Sequence, residues 1–380
     1  MGITREEIQE IVSSFDRRNI TIGVLGSHSA LEVAASAKAM GSRTVVIVEI
    51  GRHSLYSQDY VHLFDNIIQV KSFQDIVNPR IQNELLDLNT IFVPNRSFSV
   101  YVGYDHIENS FRIPVYGNRY LLRAEERSCG RGQYHLLEIG GIRFPKRFDS
   151  PNEIDRLTIV KVQRADNKRE RVFLYVNSKD DYYRQVAKYT DAGLVDESVL
   201  SEAIMEEYVL GARLNANFHA YALHDLFEKL DLVGLSDRRQ VNLQGYLNLP
   251  AHEQLKIEEP VTNEEISHFG ITLRESKQSL LWSSAKKFLA AAELEYPPGV
   301  IGPFGLQGAL AYDPEDKKTI EFVVFDVSVR VPGDPAIGPT SPNMRSLSLK
   351  HKMRIESPLD LVIMEIRRAS TDDRLTELVT

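Results

Sequence analysis

Between residues 20 and 49 the chain runs a short apolar stretch, a Gly26-Ser27-His28-Ser29 turn, a strong helix former, and a second apolar stretch. That order constrains the fold more than any other feature, because strand, Gly/Ser turn, helix, strand is the opening of a doubly wound α/β unit. The spacing predicts strands over 20–25 and 44–49, with a helix over 30–40 stopped by Gly41. Further strands are expected at 66–70 and 90–94, with a helix over 81–88 between them. The loop Asn95-Arg96-Ser97-Phe98 then falls at a strand's carboxyl end, where ligands bind in such sheets. His28 opens a helix, where amide donors collect. The same turn also reads as a helix cap by Ser27 or Ser29, with His28 in water.

A Gly-rich polar stretch over 128–132 marks a boundary. Beyond it an alternating strand over 157–162 carries Lys161 and is joined by a charged turn to a partner strand over 172–176. Helices are expected over 178–192 and 198–206, and a short strand over 207–211. Strands follow over 214–222, 230–235 and 237–241, then a helix over 275–294. The segment 113–123 reads as strand, turn and helix start. A last helix over 359–369 leads to a polar tail expected to fray. These elements divide into three modules, 1–125, 126–207 and 208–380. Lys161 is a candidate phosphate ligand or an edge-strand lysine whose stem covers the core.

A hairpin over 302–310 and 321–330 carries Asp326, Ser328 and Arg330 at alternate positions, with Gln307 on the neighbouring strand. Alternate strand residues share a face. Oxygen ligands beside a guanidinium suit a Mg²⁺-bound polyphosphate, although the spacing also fits a hairpin with one polar face in water. Composition narrows the choice. The formal charge of −8 over 380 residues argues against a general nucleic-acid binder. The single cysteine, Cys129, excludes an internal disulfide and points to a cytoplasmic protein. No apolar run approaches the ~20 residues of a membrane span. The first 19 residues are charged and helix-periodic, with no signal-peptide pattern. The histidines other than His28, which is a candidate substrate contact, show no metal spacing and read as satisfied or solvated imidazoles.

Several stretches, in order, resemble the archaeal formate-dependent synthetases of 5-formaminoimidazole-4-carboxamide ribonucleotide (FAICAR), of the ATP-grasp superfamily. They are the 26–31 turn, Ser97-Phe98, Tyr116-Gly117-Asn118-Arg119, Gly141-Ile142-Arg143-Phe144-Pro145, Ile159-Val160-Lys161, Glu207-Tyr208, Asp237-Arg238-Arg239, 297–304 and 321–330. The resemblance implies an N-terminal doubly wound domain followed by a two-lobe ATP-grasp fold. It implies a ligase that phosphorylates formate with ATP and passes the formyl group to aminoimidazole carboxamide ribonucleotide (AICAR). Ser27, His28, Ser29, Ser97, Arg238 and Arg239 would hold the nucleotide substrate. Lys161, Glu207 and Tyr208 would hold ATP, with Glu206 a rival for the ribose. Gln307 and Asp326 would bind Mg²⁺ or Mn²⁺, and Arg330 and Asp326 would be catalytic. Neither a nucleic-acid nor a membrane partner is implied; a homo-oligomer is.

The chain departs from the family where ATP and metal are handled. The turn 163–171 has no glycine, Gln307 and Asp326 replace two glutamates, the loop 331–335 lacks an Asn-containing stretch, and Asn95-Arg96 replaces a His-Gly pair. An active ligase is therefore one reading. A catalytically weakened paralogue, acting as a regulatory or scaffold partner of an active homologue, is another. A ligase with a different acceptor is a third.

Overall fold

The computed structural model describes residues 2–126, 129–163, 171–240, 243–257, 265–332 and 337–380, and they form three sheets. The charged turn 164–170 and most of the loop after Pro332 lie outside the described residues. Strands β1 (Thr21–Leu25), β2 (Arg43–Glu49), β3 (Asn66–Val70) and β4 (Thr90–Phe92) pair in parallel in the order β3-β2-β1-β4. Val45, Val46, Ile47 and Val48 are all buried, as befits a parallel sheet covered on both faces. The helix Ala30–Ala39 begins at Ser29, whose φ of 69° is left-handed and whose side chain makes no cap bond. Hydroxyl capping is therefore not what shapes this turn. In the segment 113–123 the expected strand is reduced to isolated bridges, Val115 to Phe92 and Tyr116 to Val379, while the helix start is met by a 3-10 segment, Leu122–Glu125.

The second sheet holds β5 (Arg147–Phe148), β6 (Thr158–Gln163), β7 (Arg171–Val176) and β8 (Ile204–Glu207), in the order β5-β8-β6-β7. The helix Lys179–Asp191 covers it through Tyr182 and Val186, which pack with Val160, Val162, Leu174 and Val176. Residues 198–206, expected to be helical, instead form a 3-10 segment, Glu197–Glu202, and then β8. Pairing of Met205 with Val160 overrides the helix propensity of this Glu- and Ala-containing stretch. The short strand expected over 207–211 ends at Glu207 for the same reason.

The third sheet is antiparallel: β9 (Gly211–Ala220), β10 (Leu230–Gln240), β11 (Glu265–Ile271), β12 (Gly302–Tyr312) and β13 (Ile320–Ser328), ordered β11-β10-β9-β12-β13. The stretches 230–235 and 237–240 form one continuous strand. Along β9, Leu214, Ala216, Phe218 and Ala220 join the core with Leu281, Ala285 and Phe288 of the helix Glu275–Glu295. The alternate residues Asn215, Asn217 and His219 are also buried. The central strand thus has an apolar face and a polar face, both out of water.

Simple alternation in β13 fails at one point. A bulge between Gln307 and Gly308 sets Asp326 opposite Gln307 and Val324 opposite Gly308, leaving Phe325 as the extra residue. Asp326 turns to the polar face while Val324 returns to the core. Gly308 permits this, since a Cβ there would sit 2.4 Å from the Val323 carbonyl oxygen. Arg330 lies beyond the end of the strand.

The closing residues do not fray. Leu375–Leu378 is a short helix, and Val379 and Thr380 are fully buried. Buried Arg119 donates to the carbonyls of Ile107, Phe111, Ile113 and Thr380. Among the described residues no helix is long and apolar enough to cross a membrane.

Candidate active site

A cleft of about 250 Å³ lies between the second and third sheets. Six of the residues expected at the site line it: Lys161 from β6, Glu207 and Tyr208 at the end of β8, Arg238 from β10, Gln307 from β12 and Asp326 from β13. The lining includes apolar Pro145, Ile159, Phe173 and Val209, and the third sheet contributes Arg238, Gln307 and Asp326. Tyr208 stands edge-on to Tyr175 at 5.4 Å and receives a 2.9 Å hydrogen bond from Arg213. A flat heteroaromatic ring suits the apolar residues and an anion suits Arg238.

Lys161 is nearly buried and forms an ion pair with Glu206, which also accepts from the Tyr134 hydroxyl. Glu207 instead takes Arg143 at 2.8 Å and the Lys146 amide at 3.1 Å. The two neighbouring glutamates thus answer different cations, although both line the cleft.

Arg238 donates to the side-chain oxygen of Gln307. Behind the hairpin, Glu125 lies between Arg96 at 3.1 Å and Arg330 at 3.3 Å, and also accepts the Val329 amide at 2.8 Å. Arg330 therefore does not line the cleft; it is buried and held by buried Glu125, while Arg96, the third member, is exposed. Burial pulls the pKa of Arg330 down, and Glu125 opposes the shift. Desolvation acts on Arg96 too, but Glu125 leads the charges that leave it raised. Asp326 is among the charges felt by both arginines.

The turn of the first domain approaches the strand that carries Arg238. Asn95, fully buried, donates to the carbonyls of Leu25 and His28, both at 2.9 Å. His28 is exposed, contacts the Ser29 hydroxyl at 2.9 Å, and stands 6.3 Å from the ring of His268. His268 pairs with Arg238 across β10 and β11, which brings the turn beside the arginine's strand. Ser27 accepts from Arg52 at 3.2 Å, and Ser97 is buried in the adjacent loop. Arg239 is not brought to the cleft: strand alternation turns it outward, over the Phe269 ring at 5.3 Å. Two roomier hollows, of about 560 and 580 Å³, adjoin residues such as Ile20, Ser42, Asn66 and Leu88. Those residues sit at the amino ends of the parallel strands, the wrong end for ligands in such a sheet.

Residues 22–148 match the family described as a protein of unknown function, DUF1246, and residues 181–380 the domain of unknown function DUF1297. A 5-formaminoimidazole-4-carboxamide-1-(beta)-D-ribofuranosyl 5'-monophosphate synthetase from Methanopyrus kandleri is 36% identical over 332 residues, 87% of this chain and 88% of the relative. One of the same name from Methanothermobacter thermautotrophicus is 32% identical over 381 residues, covering 100% of this chain and 99% of the relative. The chain belongs to this FAICAR synthetase family. Among solved structures, an IMP biosynthesis protein PurP from Thermococcus kodakaraensis matches with a TM-score of 0.67 at 24% identity, over 94% of this chain and 100% of that one. The fold is a doubly wound domain followed by a two-lobe ATP-grasp unit.

Around the site stands one residue that sequence patterns did not single out, Glu125, which holds Arg96 and Arg330. It had no sequence signal, since its partners are distant in sequence. A two-ion magnesium site does not fit the residues present. Gln307 already gives its oxygen to Arg238, and the other carboxylates of the cleft, Glu206 and Glu207, are engaged by Lys161 and Arg143. No group of three or more His, Cys, Asp or Glu among the described residues is placed to hold a metal ion.

Proposed function

We propose that this chain is an ATP-dependent ligase that formylates AICAR with formate, giving FAICAR, ADP and phosphate. One observation carries the reading: family relatives that align over nearly the whole chain, in a molecule whose cleft gathers Lys161, Tyr208, Arg238 and Asp326. Formate is a poor acyl donor because its oxygen leaves badly. Transfer of the terminal phosphoryl group of ATP to a formate oxygen releases ADP and makes formyl phosphate. The AICAR amine then attacks the formyl carbon, phosphate departs with the C–O bond, and the nitrogen loses a proton.

The protein's contribution is positioning and charge neutralisation. The apolar residues of the cleft, with Tyr208 and Val209, would seat adenine, and Glu207 would face the ribose. Lys161 and Arg238 would take phosphate oxygens. The turn with Ser27, His28 and Ser29, together with Ser97, would hold the AICAR phosphate beside Arg238. Arg330 and Arg96 would add positive potential from behind Asp326. A weakened, nucleotide-binding paralogue is the second reading, favoured by the Arg238–Gln307 bond where relatives are expected to present carboxylate.

The test is incubation with ATP, a magnesium salt, formate and AICAR, followed by detection of FAICAR and ADP. Product is expected, and Asp326→Ala is expected to lower its rate by roughly 100-fold or more, the scale of one lost electrostatic group at a reacting centre. Nucleotide binding without product would favour the paralogue.

A further inference from the structure

We infer that Arg238 takes the place of a second divalent cation, so that the cleft accepts a nucleoside triphosphate with one such ion at most. The inference rests on the ligase reading above and concerns how that site manages charge. Gln307 and Asp326 face each other across β12 and β13, where two acidic side chains would share two ions. Here Gln307 carries no charge, and its single coordinating oxygen receives a hydrogen bond from the Arg238 guanidinium. Rotating the amide does not free it. The other orientation would set an NH₂ group against a guanidinium, donor against donor.

Arg238 is fixed where it is by the sheet. β10 and β12 flank β9, and Asn215 on β9 pairs with Gln307 on one side and with Ser236 on the other. An ion coordinated by Gln307 would thus sit next to a permanent positive charge in a half-buried place, where repulsion is poorly screened. Asp326 remains the one carboxylate of the facing Gln307–Asp326 pair, with Arg96 and Arg330 in its field. A guanidinium offers phosphate what a bridging cation offers: positive charge and two directed contacts to oxygen. It does so without a second ion.

The test uses the full chain and the β,γ-imido analogue of ATP. Bound Mn²⁺ is counted by electron paramagnetic resonance at saturating analogue, and analogue affinity is measured by calorimetry in excess EDTA. The wild-type protein should hold no more than one Mn²⁺ per chain and still bind the analogue in EDTA. Arg238→Gln should weaken that metal-free binding by about tenfold or more, the value of one charge-assisted hydrogen bond. The double variant Arg238→Gln, Gln307→Glu should take up a second Mn²⁺. Two Mn²⁺ in the wild-type protein, or metal-free affinity unchanged in Arg238→Gln, would overturn the inference and leave the ligase reading standing. No analogue binding with or without metal would overturn both.

Discussion

Lys161 shows how one side chain can be read correctly for position and incompletely for partner. Its place mid-strand among apolar residues marked it, and it does line the cleft. Its bond to Glu206 was less legible, because two adjacent glutamates end β8 and only the strand pairing decides which faces it. Removing one member of a buried ion pair strands the other, at a cost of about 3–5 kcal/mol. Lys161→Met should therefore destabilise the protein by that order in urea denaturation. Adding Glu206→Gln should recover most of the loss, since no bare carboxylate remains. If Lys161 holds phosphate, the double variant will still bind the ATP analogue at least about tenfold more weakly. Affinity restored along with stability would reduce Lys161 to a structural role. Arg238 and Gln307 were each legible as candidates, but their bond was not: they are 69 residues apart, on strands separated by a third.

Elements were legible where local pattern and tertiary pairing agree, as in the first sheet and the long helix Glu275–Glu295. They were not where pairing opposes propensity, as at β8, or where a single residue breaks the period, as at Phe325. The bulge has a clear dependence on Gly308, whose missing side chain leaves room for the Val323 carbonyl and the Phe322 ring. Gly308→Ala should cost roughly 1–3 kcal/mol, the usual range for overpacking. It should also disturb Asp326 more than its neighbours in the core, because relief requires β13 to shift along β12. The expected signature is a fall in turnover larger than the fall in the fraction folded, measured on the same sample by assay and circular dichroism. A Gly308→Ala protein with full turnover per folded molecule would show that the bulge does not position Asp326. Gly302 makes a second tight approach, against the Tyr116 ring at 2.4 Å for an added Cβ, with φ at 85°. Tyr116 and Asn118, read from sequence as family markers, prove to be braces. Tyr116 donates to buried Glu365 at 2.6 Å, and Asn118 donates to the carbonyls of Tyr296 and Gly299.

Across the whole molecule, polar clamps join parts that are far apart in the chain, and none was visible in sequence because each needs the finished fold. Arg119 ties residues 107–113 to Thr380; burial lowers its pKa to about 10, which leaves it charged at neutral pH. Arg119→Met would leave several buried carbonyls without a donor and should cost about 3 kcal/mol or more. Faster amide exchange over 374–380 than elsewhere in the variant is the expected mark of that loss. The second clamp is Asp231 on β10. It accepts from Tyr221 at 2.9 Å and His351 at 3.1 Å and pairs with Lys350 of the helix Pro342–His351. Burial alone would raise its pKa, but the bonds from His351 and Lys350 outweigh burial and hold it at about 2. In an unfolded chain an aspartate titrates near ~3.9. A depressed folded pKa contributes stability that is fully present above the unfolded value and disappears as pH falls through the folded one. The window is therefore from about pH 4 down to about pH 2, and the shift corresponds to roughly 2–3 kcal/mol. Asp231→Asn should lower stability at neutral pH and flatten the acid limb across that window, as measured by urea denaturation at successive pH values. An unchanged slope between wild type and variant would mean that this carboxylate does not bind the helix to the sheet.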